Sequence, residues 1–526
     1  MTGTRSDYLV VGAGSAGAAV AARLSEDPGV TVTLLEAGPD YRSADTPAAM
    51  RQAHWQQIDP SFFWPGLTAR RTAAQEPRSC RRGRGVGGTS SVNAMFAVRG
   101  AVDDFDAWVQ LGCRGWSFDE VLPYFRRLER DLDFGAAPYH GNDGPTPLIR
   151  EPVDAWGPVA QAMREAALAS GYPWHADSNA PEATGCSPIA SNTRDGQRVS
   201  TNDAYLEPAR GRPNLAILGD TLVDRLTFDG ARATGVVAVR AGERVELKAR
   251  QVILCAGAVH TPAILMRSGV GPGALLQTLG IRVRADRPGV GANLQEHPAF
   301  GLRLDLRPGV RRAGHEPRPY TVCVRYASGT PGAGANDMFL LAADRPERTW
   351  GSLHACLYAP FSRGRLAVTS TDPAVHPVVE FNMLDDARDV TRMADGLRRL
   401  VAIARHEAVQ AVTTTAVLSD GPTRLTLDAF DGMDAPALAA WMRAACGDIY
   451  HVAGTCRMGA ATDAGAVVDP DGRVLGVEGA WVADASVMPT IVRANTNLTT
   501  IMIGERLASV VRAVAAHAPP TEAGSR

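Results

Sequence analysis

The sequence predicts an α/β fold in two parts, a parallel-sheet domain and a second unit built on an antiparallel sheet with flanking helices. Three observations predict it. The chain opens on a short apolar run, a glycine turn and a small-residue helix. A later apolar run, Val252 to Ala256, again ends at a glycine crossing. From Phe300 the texture changes to short alternating runs separated by Pro- and Gly-rich linkers. At 526 residues and 45% hydrophobic composition there is material for a large core and more than one domain.

The opening stretch, Asp7 to Gly38, reads DYLVVGAGSAGAAVAARLSEDPGVTVTLLEAG. Tyr8 to Val11 suits a strand buried on both faces, and it breaks at once into glycines 12, 14 and 17. Gly12 allows the tight turn, Gly14 lets backbone N–H groups approach a pyrophosphate, and Gly17 lets the alanine-rich helix lie close on the sheet. The helix N-terminus then faces the phosphates. Thr31 to Leu35 reads as the next strand and ends at Glu36, where an acid can accept from an adenosine ribose. These offsets define a Rossmann-like dinucleotide unit, with Gly12, Gly14, Ser15, Ala16, Gly17, Glu36 and Ala37 as its expected cofactor contacts. The acid argues against NADP, but the unit alone leaves FAD and NAD open.

Composition narrows the function classes. A net charge of −2 and a pI near 6.6 make no electrostatic case for nucleic acid or an anionic membrane surface. No run of about 18 apolar residues marks a membrane span, and the early first strand leaves no room for a leader, so a cytoplasmic protein is expected. The eight cysteines are scattered without CxxC or Cys/His pairing, so no metal site and no disulfide framework is expected.

Beyond Gly38, Pro39 to Arg82 is irregular and carries Trp55, Phe62, Phe63 and Trp64, which suits a cofactor cover. Ser79 to Gly100, SCRRGRGVGGTSSVNAMFAVRG, is a glycine-rich loop with hydroxyls and Arg84 that runs into a buried apolar stretch. This segment resembles the first signature of the glucose-methanol-choline (GMC) flavoprotein oxidoreductases. GAVHTPAILMRSGVG (257–271) and GVGANLQEHP (289–298) match the family too, and the resemblance runs from Asp7 to about Val514, closest to its choline-dehydrogenase-like branch.

The resemblance implies the GMC fold and FAD as cofactor. It implies further contacts from Trp64, from Arg84, Val86, Gly88, Thr89, Asn93, Ala94 and Met95 in the loop, and from Val223, Ala256 and Gly257. Valine at position 92, where some relatives carry a histidine that links FAD covalently, implies non-covalent FAD.

Asp103 to Arg130 is helical in pattern with Ser117 as a cap, and Leu215 to Leu218 and Thr221 to Leu226 alternate like strands. Tyr320 to Tyr326, Met338 to Ala342, Leu353 to Tyr358 and Leu366 to Thr369 read as an antiparallel sheet, followed by helices at Asp385 to Val409 and Ala435 to Cys446. The expected division is a discontinuous FAD domain (1–150, 196–298, 445–516), a substrate domain (151–195, 299–444) and a flexible tail (517–526).

Two C-terminal pieces carry the chemistry by resemblance. In CGDIYHVAGTCRMG (446–459), His451 is the base for an alcohol proton, a task that an ordinary imidazole pKa of about 6.5 suits at neutral pH, with Tyr450 beside the cofactor. In the stretch 480–511, a strand ends at Asp484, a loop carries Asn495, Thr496 and Asn497 into a helix whose N-terminus would face the isoalloxazine, and Asp484, Ala485, Asn495 and Thr496 are implied FAD contacts. Asn495 occupies the second catalytic position, where an amide can bind the alkoxide but cannot take its proton. The implied reaction is oxidation of a small-molecule alcohol by hydride transfer to flavin N5, with a primary alcohol and its aldehyde as the expected pair. Oxygen, a quinone or a small redox carrier would accept the electrons, and a redox-silent lyase or decarboxylase on the same fold is the alternative.

Overall fold

The computed structural model describes residues 5–51, 58–310, 318–345, 348–419 and 421–517. Trp55, part of the linker Arg307 to Pro319 and the tail beyond His517 lie outside them.

Five strands run parallel in the order Leu215–Leu218, Val32–Leu35, Ser6–Val11, Glu243–Leu254 and Ala480–Val482. Their register sets Leu218, Leu35, Val11, Leu254 and Val482 side by side, so all five strands end along one edge. Leu9, Val10, Leu34 and Ile253 are buried, as strands covered on both faces require. The strand Glu243–Leu254 serves two neighbourhoods. Its second half lies in the parallel sheet, while its first half pairs antiparallel with Arg232–Arg240, which in turn pairs with Thr221–Asp229. The burial pattern follows, from exposed and half-buried residues at the start to Val252, Ile253 and Leu254 fully buried at the end.

Helix Ser15–Leu24 lies on this sheet, and helix Thr496–His517 packs across that helix. Gly504 makes the crossing close: a Cβ there would stand 2.7 Å from the Ala16 carbonyl oxygen.

The second sheet is antiparallel and has eight strands. Its order is Leu425–Thr426, Thr413–Leu418, Pro298–Leu306, Trp350–Leu357, Met338–Ala343, Val322–Tyr326 and Gly185–Pro188, with Gly447–Asp448 added at the start of Pro298–Leu306. Leu366 to Thr369 is a correction to the expected sheet. Arg365–Ala367 instead forms a separate ribbon with Val378–Glu380, because Gly364 is tied to Leu294 by backbone hydrogen bonds of 2.8 and 3.1 Å that draw the segment away.

Two expected helices are each divided. Gly112 and Gly115, at φ of 91° and 81°, separate Val102–Gln110 from Phe118–Leu128, where Ser117 is the cap and its N–H donates to Glu120 at 3.0 Å. Ala387–Arg405 stops at His406, whose extended backbone caps the short helix Glu407–Val412. The long helix covers the antiparallel sheet through Met393, Leu397, Leu400 and Val401. Among the described residues no helix is long and apolar enough to cross a membrane.

Candidate active site

A cavity of about 510 Å³ runs from the shared edge of the parallel strands to the antiparallel sheet. Crevices at the carboxyl ends of parallel strands are where such sheets place ligands, because every strand there hands over to a loop. Here the residues just past the strand ends, Gly12, Glu36, Ala37, Cys255, Ala256, Gly257, Asp484 and Ala485, all line the cavity. Gly12 has φ 101°, and a Cβ would stand 2.5 Å from the Cys255 carbonyl oxygen, so this turn is open to glycine alone.

Backbone N–H groups organise this end. Glu36 is buried and accepts from Ala13, Gly38 and Gly85 at 2.9–3.0 Å. Its carboxylate therefore ties the first turn to the glycine-rich loop and keeps about one acceptor position for a ribose, given the roughly four a carboxylate offers. Asp484 accepts from the Gly257 N–H, the Thr261 hydroxyl and the Ser486 N–H at 2.6–2.8 Å. The loop itself leans on the turn: Gly87 N–H donates to the Ala13 carbonyl at 2.8 Å, and a Cβ on Gly88 would meet Gly14 Cα at 2.7 Å.

Two helix N-termini point into the cavity. A Cβ on Gly14 would meet nothing closer than Gly88 Cα at 3.9 Å, so the start of Ser15–Leu24 is bare on that side. Ser15 donates to Asn497 Oδ1 at 2.8 Å across to the start of Thr496–His517, and the buried Asn497 Nδ2 has no partner. Bare N–H groups, partial positive charge and an orphaned amide donor are what a dinucleotide with a pyrophosphate would satisfy. The residues present fit FAD.

Of the expected contacts, Gly12, Gly14, Ser15, Ala16, Glu36, Ala37, Trp64, Gly88, Thr89, Asn93, Ala94, Met95, Val223, Ala256, Gly257, Tyr450, Asp484, Ala485 and Thr496 line the cavity together with His451 and Asn495. Gly17, Arg84 and Val86 are not among the lining residues. Gly17 packs against the Gly12 carbonyl and Cys255, Arg84 donates to the Ala37 carbonyl at 2.9 Å, and Val86 is buried behind the loop. Trp64 lies 4.1 Å from the His260 ring, and Phe63 and Val92 also face the cavity.

At the other end, His451 and Asn495 are brought together although 44 positions apart. Asn495 Nδ2 is 3.2 Å from His451 Nε2, and the Tyr358 hydroxyl donates to Asn495 Oδ1 at 3.2 Å. The remaining nitrogen, His451 Nδ1, is 2.9 Å from His297 Nδ1. With the amide in this orientation Asn495 Nδ2 donates to the Nε2 lone pair, so His451 carries its proton on Nδ1 and donates it to His297. Tyr358 stacks on His297 at 4.5 Å and on Phe339 at 4.5 Å, which fixes both rings.

His297 and Glu296 sit here because GVGANLQEHP is stitched to the loops that carry His451 and Asn495. Gln295 and Ala453 exchange backbone hydrogen bonds of 3.0 Å, Gln295 Oε1 accepts from Ile491, and Asn293 Nδ2 donates to the Gly454 and Pro489 carbonyls. In sequence the motif is legible as a family mark, yet it carries no sign of the histidine's role. Tyr358 has no signal beyond closing an apolar run.

Burial sets the protonation states. Burial, then His297 and Arg82, holds His451 well below the ordinary imidazole value, so it is neutral at pH 7 and able to accept a proton. This corrects the expectation that an unperturbed pKa serves the base. Burial pushes His297 down to about 3. Burial, then Asp448, raises the Glu296 carboxyl, while Arg82 at 3.5 Å opposes the rise without closing a hydrogen bond. Glu296, His297 and His451 present ligand atoms within 4.8 Å of one another, but the Nδ1 to Nδ1 contact is accounted for by one hydrogen bond, and Glu296 accepts the His297 backbone N–H at 2.8 Å.

The family model for GMC oxidoreductases matches residues 6–299 and 360–504. The chain is 39% identical to a 5-(hydroxymethyl)furfural oxidase from Methylovorus sp. (strain MP688), over 97% of this chain and 99% of the relative. It is 37% identical to an oxygen-dependent choline dehydrogenase from Pseudomonas putida (strain F1 among its designations), over 96% and 94%. Among solved structures, a pyridoxine 4-oxidase from Mesorbium loti superposes with a TM-score of 0.87 at 30% identity, over 98% and 100% of the two chains. With a dinucleotide cradle, a neutral histidine and matched relatives along its whole length, the chain belongs to the GMC oxidoreductase family, as an FAD-dependent, choline-dehydrogenase-like enzyme acting on CH–OH donors.

Proposed function

We propose that the enzyme oxidises a primary alcohol to the aldehyde, with His451 as the base and Asn495 holding the same oxygen. The observation that carries this reading is the hydrogen-bonded chain Tyr358, Asn495, His451, His297, which leaves a neutral Nε2 and an amide N–H 3.2 Å apart at the cavity wall. A substrate hydroxyl that takes the amide's place at Nε2 would give its proton to Nε2 and accept from Asn495 Nδ2, so the proton leaves as negative charge develops on oxygen. His297 takes the Nδ1 hydrogen bond and keeps the imidazole in this tautomer. Bound FAD supplies the hydride acceptor, N5. The start of Thr496–His517 opens on the cavity, and its positive end would favour negative charge on the reduced cofactor.

The parallel-sheet segments (1–150, 196–298, 445–516) would form the cofactor half and the antiparallel-sheet segments (151–195, 299–444) the substrate half. Names of relatives, an oxidase and an oxygen-dependent dehydrogenase, support oxygen as the first acceptor to test, ahead of a quinone or small redox carrier. Eight buried cysteines without a disulfide suit the cytoplasm. Val92, buried on the cavity wall, cannot bond to a flavin, so FAD should be released intact on acid or heat denaturation; flavin that stays with the precipitate contradicts this. The activity is tested by anaerobic mixing with a panel of alcohols, where bleaching of the flavin is the expected result and its failure with every alcohol overturns the reading.

A further inference from the structure

The cavity does not end at the catalytic pair. Along Trp350–Leu357 and its continuation, Tyr358, Cys356 and His354 alternate onto the cavity wall, and four residues of strand separate the levels of Tyr358 and His354 by roughly 13 Å. Cys356 lies between these levels, and Leu341, paired with His354 on the neighbouring strand, and Phe96 add apolar wall to the cavity. At the far level stands Arg345, 8% exposed, its guanidinium 4.5 Å from the Trp350 ring centroid.

Among the described residues no carboxylate pairs with Arg345, and its buried Nε has no partner. The adjacent acid, Asp344, is turned to helix Pro158–Ala169, where it accepts from Val159 and Ala160 at 2.9 and 3.0 Å. His354, near enough for Arg345 to add to the burial that lowers its pKa to about 4, is neutral and offers no countercharge. The carboxylates that line the cavity are already used elsewhere: Glu36 and Asp484 by backbone N–H groups, Asp448 by Arg71 at 2.8 Å. A buried cation without a countercharge is costly unless a ligand supplies one.

We propose that Arg345 sets substrate specificity by binding a carboxylate: the alcohol oxidised here carries its hydroxymethyl group at His451 and a carboxylate at the far end of an apolar spacer. The inference rests on His451 and Asn495 being the reacting end. It disfavours a quaternary ammonium alcohol, which would place a cation in a cavity whose unpaired charge is already positive.

The test uses FAD-loaded protein and matched pairs, 8-hydroxyoctanoate against 1-octanol and 4-(hydroxymethyl)benzoate against 4-methylbenzyl alcohol, with Kd and reduction rate read by anaerobic stopped flow. The carboxylate member of at least one pair should bind about 10–100-fold tighter, the range of a charge-assisted contact. Arg345→Met should abolish that preference while the neutral alcohol keeps its rate within about twofold, and Arg345→Lys should retain part of it as a point charge. Octanoate, which has no hydroxyl, should perturb the flavin spectrum of the wild type and not of Arg345→Met. Equal binding of both members, or a preference that survives in Arg345→Met, overturns the inference and leaves alcohol oxidation standing. If octanoate binds through Arg345 yet no alcohol bleaches the flavin, the oxidation reading fails and the carboxylate site stands.

Discussion

The two ends of the cavity are built by different means. The cofactor end is made of turns: strand ends, glycines at positive φ, and two carboxylates that each hold backbone N–H groups in place. The other end is made of side chains from distant segments, His297, Tyr358, His451 and Asn495, that meet only across the interface of the two sheets, with Arg345 farther along the cavity wall. The first is a rigid cradle set by local geometry. The second is a set of neutral or unpaired polar groups held ready by burial, which is why its pKa values are displaced and its partners incomplete.

The largest effect expected at the side-chain end comes from His451→Ala. It should lower the rate of anaerobic flavin reduction by about 10²–10⁴-fold, the worth of a positioned base, with FAD retained because the cradle is untouched. High pH should partly rescue this variant by ionising the alcohol in solution. An unchanged rate would mean that the chemistry is not in this hydrogen-bonded chain.

Asn495→Ala should cost less, because it removes one hydrogen bond to the oxygen and leaves the base in place, and high pH should not rescue it. The double variant should lose less than the product of the single effects, since both groups act on one oxygen. Independent, multiplicative losses would show that they serve different atoms.

At the cradle end, Glu36→Ala should weaken FAD binding by about 1–3 kcal/mol while the reduction rate of the protein that does bind FAD stays near wild type. The loss comes mainly from three backbone N–H groups left without their acceptor. Calorimetric titration with FAD reads the first quantity and stopped flow the second; an equal fall in both would erase the distinction between the ends.

The smallest effect is one of pH. The His451 pKa is depressed in the folded protein, so the imidazole is neutral both above and below its ordinary value, and protonation sets in only at lower pH. The reduction rate by a bound neutral alcohol should therefore be flat from about pH 8 to pH 6, where an unperturbed histidine would lose activity near about 6.5. An inflection near that value would show that water reaches His451.

Much of the cradle was legible from spacing. Glycines 12 and 14, Glu36 and the strand ends act through backbone conformation within a few residues, and that is a local property of sequence. Even so, Glu36 holds the loop 83–88 as well as lining the cavity, a contact 49 positions away in chain that spacing does not report. His451 and Asn495 could be placed only by resemblance, since a histidine beside a turn is ordinarily a structural residue.

What the sequence by itself determined is the α/β unit, the existence of an antiparallel partner sheet and the segments that meet at the cofactor, because periodicity and turn chemistry are written in neighbouring residues. Only the tertiary structure decided the tautomer of His451, the place of His297 and Tyr358, and the isolation of Arg345. Protonation and specificity depend on burial and on which groups lie within hydrogen-bonding distance, and those follow from packing of segments up to 154 positions apart rather than from any local pattern.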